Sequence, residues 1–448
     1  MASNLFRALG LVSAIAIIPA ATAAFASAEA DSMREFDEFM GVFNRVRADY
    51  VEKVDDKTLL RGAIDGMLAS LDPHSSYLDQ KGYQSLMTST EGEYGGLGLN
   101  VTLEDGVVKI VAPIEDSPGF KAGLKAGDYI THLNGKLIYG GALDEAVDQM
   151  RGAPGTTIKI TVLRPGREKP FDVTLTRAKI ELPAVKWEVK DRVGIINVNT
   201  FSRTTTQEAL AAIAAIDKSL GGPPTGYIVD LRSNPGGLLD QAVGLSDVFL
   251  ERGEVVSQRG RAKNDIERYY AEPGDATRGR PIVVLVDSGS ASAAEIVAAA
   301  LQDHHRAIVM GERSFGKGSV QTLLPLSRDT ALRLTTARYY TPSGRSVQEG
   351  GIVPDIEVPQ LSDPDYKSRP RLREADLRRH LINEVKVDES VVQDDGKPDP
   401  RFSATPDELK KKGIDDFQLH YAVQTIARLA GPRTATAAAG AAPKGGTR

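Results

Sequence analysis

The chain has 448 residues, 41% hydrophobic and 26% charged, enough apolar material for two or three cored domains and too much for a disordered chain. A formal net charge of -5 with intermixed signs excludes the basic patch that a nucleic-acid partner needs. The absence of cysteine removes thiol catalysis, cysteine-ligated zinc and disulfides, and leaves oxygen nucleophiles.

Residues 1–28 read as a secretory signal peptide: Arg7 precedes the apolar run Ala8 to Ile18, Pro19 breaks it, and Ala24, Ala26 and Ala28 offer cleavage patterns. Pro19 comes too early for a spanning helix, which needs roughly 20 apolar residues. A periplasmic location is therefore expected, and without a lipidation cysteine the chain is no lipoprotein. In the helical segment 29–90, Phe36, Phe39, Met40, Phe43, Val46 and Tyr50, then Leu60, Ile64, Met67, Leu68 and Leu71, recur at three- and four-residue steps. That rhythm predicts two amphipathic helices whose stripes pack on each other or on a neighbouring subunit. His74 follows a helix end and a proline turn, and is expected to be structural.

Residues 91–177 change texture, to alternating runs 97–103, 107–111, 129–133, 158–163 and 171–175 with one helix at 142–150. The Gly95-Gly-Leu-Gly-Leu99 entrance and the Ala122-Gly-Leu-Lys-Ala-Gly-Asp128 stretch resemble a PDZ domain. In such a domain the loop Gly96, Leu97, Gly98, Leu99 turns backbone N–H groups toward a peptide's terminal carboxylate while the peptide adds as a strand. A dinucleotide loop is excluded because no Gly-x-Gly-x-x-Gly spacing opens a helix.

Residues 178–360 alternate strand and helix as in a layered sheet domain: strands 193–198, 227–231, 282–286 and 307–310, helices 206–220, 239–249 and 293–302, and a long strand 332–340. Residues 361–430 are charged and helical in parts, and the Ala/Gly/Thr-rich tail 431–448 is expected to be disordered.

Ser292-Ala-Ala-Glu295 has the form of a capping box, in which a serine hydroxyl satisfies a helix-start N–H. The same position sets the hydroxyl among unpaired N–H groups that stabilise an oxyanion. If Gly316 to Thr322 is extended, Lys317, Ser319 and Gln321 share one face, and Lys317 becomes a base if burial lowers its pKa from about 10.4. Along a straight helix Asp303 would lie roughly 16 Å from Ser292, so direct contact is not expected. His304 and His305 lie further still, against a Ser-His-Asp triad, and His132, His380 and His420 have no motif around them. Gly311-Glu-Arg-Ser-Phe-Gly-Lys-Gly318 nearly spells a P-loop, but glycine replaces the magnesium-binding hydroxyl and the following residues read as strand. A nucleotide hydrolase and a catalytically silent PDZ scaffold are the alternatives.

From about Phe36 to Pro359 the chain resembles the carboxy-terminal processing peptidases, PDZ-bearing serine endopeptidases. The resemblance rests on Gly96 to Leu99, Asp230-Leu-Arg-Ser-Asn-Pro-Gly-Gly237, Gly289-Ser-Ala-Ser-Ala-Ala-Glu295 and Gly311 to Gln321. It implies an α/β multidomain fold: N-terminal helices, an inserted β-rich PDZ domain, a layered α/β peptidase core and a helical C-terminal segment. It further implies Ser292 as nucleophile, Lys317 as base, Gln321 holding Lys317, and an oxyanion hole from the N–H groups of Ala293 and Gly236. No cofactor or metal is expected. Substrates would be unfolded or partly folded envelope proteins with apolar C-termini, cut without ATP. The PDZ insertion would gate the site, a homo-oligomer is expected, and a tetratricopeptide adaptor lipoprotein is a family partner.

Overall fold

The computed structural model describes residues 32–140, 142–384 and 399–431. The expected signal peptide and positions 432–448 of the expected tail lie outside them.

Residues up to Leu71 form one unit and those from Asp72 another. The first holds helix α1, residues 32–49, and helix α2, Asp56–Ala69. Asp55 caps α2 by accepting the Thr58 N–H at 3.0 Å, and Arg47 meets Asp56 at 3.3 Å. Leu68 is buried, whereas Phe36, Tyr50, Leu60 and Met67 stay exposed, so the two stripes are only partly covered.

The second unit opens with β1 (Ser76–Leu78), α3 (Gln80–Glu91) and β2 (Glu93–Gly96). A β module follows: β3 (Leu99–Glu104), β4 (Val107–Pro113), α4 (Pro118–Lys121), β5 (Tyr129–Leu133), β6 (Lys136–Leu137), α5 (Leu143–Met150), β7 (Thr157–Leu163) and β8 (Phe171–Thr176). Its antiparallel sheet runs β3-β4-β5-β7-β8, with β6 on β5. Alternation along β7 sends Ile158, Ile160 and Val162 into a core shared with Leu97, Ile110, Met150 and Leu175. β9 (Ala178–Glu181) returns antiparallel to β2, so the module enters and leaves through a two-stranded ribbon.

The larger layer comprises β10 (Val185–Lys190), β11 (Val193–Val198), α6 (Thr205–Leu220), β12 (Gly226–Asp230), α7 (Leu239–Asp247), β13 (Gly253–Arg259), β14 (Ile266–Ala271), β15 (Ile282–Val286), α8 (Ala293–Asp303), β16 (Ile308–Gly311), β17 (Ser319–Pro325), β18 (Ala331–Tyr340) and β19 (Ile356–Glu357). One sheet has the order β10-β11-β12-β15-β16-β19, parallel from β11 onward with β10 antiparallel at its edge. Every residue of β12 and β15 is buried, because both faces are covered. Ile196, Val229 and Val284 join the core containing α6, α7 and α8; their neighbours Ile195, Ile228 and Val283 face the other way. That second face is covered by α9 (Pro406–Lys411) and α10 (Phe417–Ala430) through Leu409, Val423 and Ile426. Arg232 fastens α10 to the end of β12, reaching Asp230 at 2.6 Å and Asp416 at 2.7 Å. The other sheet, β1-β18-β13-β14 with β17 on β18, brings the segment before the β module against the end of the layer: Ser76 pairs with Arg333.

Candidate active site

Parallel strands leave their carboxyl ends on one side of a sheet, where loops collect functional groups. Three such loops meet here. The turn after β12 supplies Asn234 to Gly237, the loop after β15 leads to Ser292, and the loop after β16 leads to Lys317. They are laced together: Ser233 N–H donates to Asp287 at 2.7 Å, Ala291 N–H to the Asn234 carbonyl at 2.9 Å, and Phe315 N–H to the Ser290 carbonyl at 3.0 Å.

Ser292 stands immediately before α8 with φ 56° and ψ -114°. An ordinary N-cap is extended; a non-glycine residue at positive φ is strained and is held there by its surroundings. Those surroundings centre on Glu295, fully buried one turn into α8. Its Oε2 accepts the N–H groups of Ser292 at 2.8 Å and Lys317 at 2.9 Å, and its Oε1 accepts the Ser314 hydroxyl at 2.5 Å and Gly316 N–H at 2.7 Å. One carboxylate oxygen thus joins the backbones of the two residues singled out for chemistry. Burial pushes the Glu295 carboxyl up to about 7, against the pull of those four donors. The buried Tyr339 hydroxyl adds a second tie, donating to the Lys317 carbonyl and lying 3.2 Å from that of Ser292.

Lys317 does not lie in a strand. β17 begins at Ser319, and Gly316 at φ 96° breaks the extension; an added Cβ there would meet the Glu349 carbonyl at 2.9 Å. Among the described residues the Lys317 amine makes no hydrogen bond. Desolvation, with Arg333 second, holds it below the ordinary ammonium range, while Glu374, Glu295 and Asp72 pull the other way.

Gln321 departs from its expected part. A bulge between Val320 and Gln321 turns its amide to Ser319 Oγ at 2.9 Å and Thr335 Oγ1 at 3.2 Å, not to Lys317. Thr335 in turn donates to Asp72, so Gln321 orients the wall of the site. Asp303 ends α8, bonded to Arg345 at 2.5 Å and to Ser343 N–H at 3.0 Å. His304 is spent on the Glu254 carbonyl at 2.7 Å. The segment after Lys317 is strand, as the P-loop near-miss required for its rejection.

Ala293 N–H, next to Ser292, donates to nothing among the described residues. Gly236 lies against Ser292: a Cβ added to it would sit 2.9 Å from Ser292 Cβ and 3.0 Å from Ala293 N. Its N–H, however, is taken by Asn234 Oδ1 at 2.8 Å, so the expectation that Gly236 donates to an oxyanion is corrected. The neighbouring Gly237 N–H carries no such bond among the described residues.

In the β module, Gly96 ends β2 and Leu99 begins β3, which among the described residues pairs only with β4, leaving its outer edge without a strand there. The carbonyls of Leu97 and Gly98 accept Gly119 N–H at 2.9 Å and Ile114 N–H at 2.8 Å, while the N–H groups of Leu97 and Gly98 donate to nothing among the described residues. Gly98 has φ 67°, and a Cβ there would overlap Ser117 Cβ at 2.2 Å. Gly98→Ala is therefore expected to raise KM for a protein ending in apolar residues about tenfold, equivalent to roughly 1.4 kcal/mol, without changing kcat on a short peptide; steady-state kinetics on both substrates checks this.

Comparison with known proteins matches residues 192–358 to peptidase family S41, residues 95–175 to the PDZ domain and residues 15–82 to the activating protease CtpB N-terminal domain. A carboxy-terminal-processing protease of Bartonella bacilliformis is 47% identical over 86% of this chain and 89% of its own length. The chain belongs to the carboxy-terminal processing proteases. Carboxy-terminal processing protease CtpB of Bacillus subtilis is 34% identical over 93% of this chain and 88% of its own length. The solved photosystem II D1 C-terminal processing protease aligns with 69% of this chain and 84% of its own at 30% identity, with a TM-score of 0.42. The protein is accordingly a serine-type peptidase with a PDZ domain.

Three features of this protease escaped the sequence reading. Glu295 was visible only as half of a capping box. Tyr339 read as one apolar strand residue among several. His74 meets the fully buried Glu374 at 2.9 Å across 300 residues, a pairing that no local spacing signals.

Proposed function

We propose that this protease captures the apolar C-terminus of an unfolded or partly folded envelope protein on its PDZ domain and cleaves it with a Ser292–Lys317 dyad, independently of ATP. The observation that carries this reading is the shared Glu295 oxygen, which holds the backbones of Ser292 and of Lys317, whose amine is desolvated. The neutral Lys317 amine takes the Ser292 hydroxyl proton as Oγ bonds to the scissile carbonyl carbon. The resulting oxyanion is received by the N–H groups of Ala293 and Gly237, the latter replacing Gly236. Collapse breaks the C–N bond, the leaving amine takes the proton from Lys317, and water then hydrolyses the acyl ester with Lys317 again as base. Each preorganised donor contributes roughly 10²- to 10³-fold in kcat.

The open edge of β3 supports strand addition by the substrate. The ribbon of β2 and β9 supports a PDZ domain that moves relative to the peptidase layer and gates it. A periplasmic location follows from the signal-like N-terminus, and exposed stripes on α1 and α2 support a homo-oligomer. A tetratricopeptide adaptor lipoprotein belongs to the same reading.

The test is incubation of the mature chain, without nucleotide, with an unfolded protein ending in Ala-Ala, followed by intact mass. Wild type is expected to cleave while Ser292→Ala loses roughly 10³-fold or more. Equal cleavage by both would refute the assignment.

A further inference from the structure

The pair formed by half-buried His74 and buried Glu374 has no part in the dyad, yet it is built around the Lys317 loop. Glu374, fully buried in the short 3-10 turn Glu374–Asp376, faces His74 Nε2 with both oxygens, at 3.0 and 2.9 Å. Its backbone N–H donates to the Phe315 carbonyl at 3.1 Å. Its Oε1 accepts Gln348 Nε2 at 3.0 Å, and Gln348 Oε1 accepts Gly318 N–H at 2.9 Å. The turn therefore grips the base-bearing loop on both sides of Lys317, at Phe315 and at Gly318. His74 is braced in its turn: its N–H donates to Asp72 at 2.8 Å, and Arg333 Nε reaches its carbonyl at 3.1 Å.

We propose that Glu374 and His74 are a positioning pair for the general base: Glu374 holds the Lys317 loop and supplies the counter-charge for the ammonium formed when Lys317 takes the serine proton, and His74 moderates that charge. The proposal rests on the Ser–Lys reading given above.

A buried amine that starts neutral and becomes charged in the transition state needs an anion that is already in place. Four charged groups bear on Lys317: Arg333 disfavours its ammonium form, and Glu374, Glu295 and Asp72 favour it. Glu295 is saturated by four donors, and Asp72 by the N–H groups of His74 and Ser75 and the hydroxyls of Ser75 and Thr335. Among the described residues the Glu374 carboxylate is bonded by only His74 and Gln348, so more of its charge is left for the amine. His380, bonded to Glu349 at 2.7 Å, also feels Glu374.

The experiment uses the full mature chain and compares pH profiles of kcat/KM for wild type, Glu374→Gln and His74→Phe on the unfolded protein ending in Ala-Ala, with Lys317→Ala alongside. Glutamine keeps the shape of Glu374 and removes its charge, so kcat should fall about tenfold with KM unchanged, and the acid limb should move to lower pH by roughly half a unit or more. His74→Phe strips the donor from Glu374, and its acid limb should move to higher pH. Opposite displacements carry the proposal; a fall in rate with both limbs unmoved, or two wild-type profiles, overturns it. If Glu374→Gln fails to fold by circular dichroism, the His74→Phe limb alone decides in the same two ways. Wild-type activity in Lys317→Ala would instead overturn the dyad itself, whatever the other two variants do.

Discussion

Lys317→Met is expected to abolish cleavage while making the protein more stable. Loss of the proposed general base removes roughly 10³-fold or more of kcat/KM. The stability gain follows from burial, which holds the folded-state pKa of Lys317 below its unfolded value near 10.4. Between the two values the unfolded chain binds more protons, so stability rises with pH through that window and the burden on the fold is full below the folded pKa. Methionine fills the same volume without a charge to desolvate. Its melting temperature should exceed that of wild type by about 2 °C or more at neutral pH, with the difference fading as pH approaches about 10.4. Calorimetry at three pH values, together with the cleavage assay, checks both halves. A destabilised variant would mean that the amine is not desolvated.

Glu295→Gln is expected to lower activity about 100-fold without touching a group that reacts. An amide leaves one oxygen to accept and turns two hydrogens toward N–H donors: with its nitrogen at the Oε2 position Ser292 and Lys317 lose their shared anchor together, and with its nitrogen at the Oε1 position Gly316 N–H, beside Lys317, loses its acceptor. Displacing a reacting group by about 1 Å can cost roughly 10²-fold. The pH sign can be worked out as well. Glu295 has a folded pKa pushed up to about 7 from an ordinary 4.5, so the folded state binds more protons between those values and its charge weighs on stability as pH rises through that window. Glu295→Gln removes that burden, and its stability deficit relative to wild type should be larger at pH 5 than at pH 8. Thermal melts at both values, with kcat measured at pH 8, test the assignment.

Much of the architecture could be read from local pattern because local pattern is what burial acts on. β12 and β15 announced a layered sheet by alternating with helices, and β7 announced its strand by the alternation of its apolar residues. The remote position of Asp303 also followed from helix rise alone, and it proved to be tied to Arg345 and Ser343. The site was legible as residues but not as geometry. Ser292 and Lys317 stood out by motif, whereas Gly316 ended the extension that would have aligned Lys317 with Gln321, and the bulge at Val320 turned Gln321 toward Thr335. Gly236 could be placed beside Ser292 because glycine permits close backbone approach, but the direction of its N–H depended on the Asn234 side chain. His74 and Glu374 carry no sign of each other in sequence, since a pairing across the whole domain is decided by tertiary packing.

The loop that bears Lys317 is gripped by the Glu374 turn and, through it, by His74, so the site closes only when segments from near both ends of the peptidase have met. Contacts of such long sequence separation form late, after the local helices and hairpins. A nascent or partly folded chain consequently has a serine and a lysine but no assembled catalyst. Assembly of the site is thereby tied to completion of the fold: the topology acts as the safety catch, released by the last long-range contact.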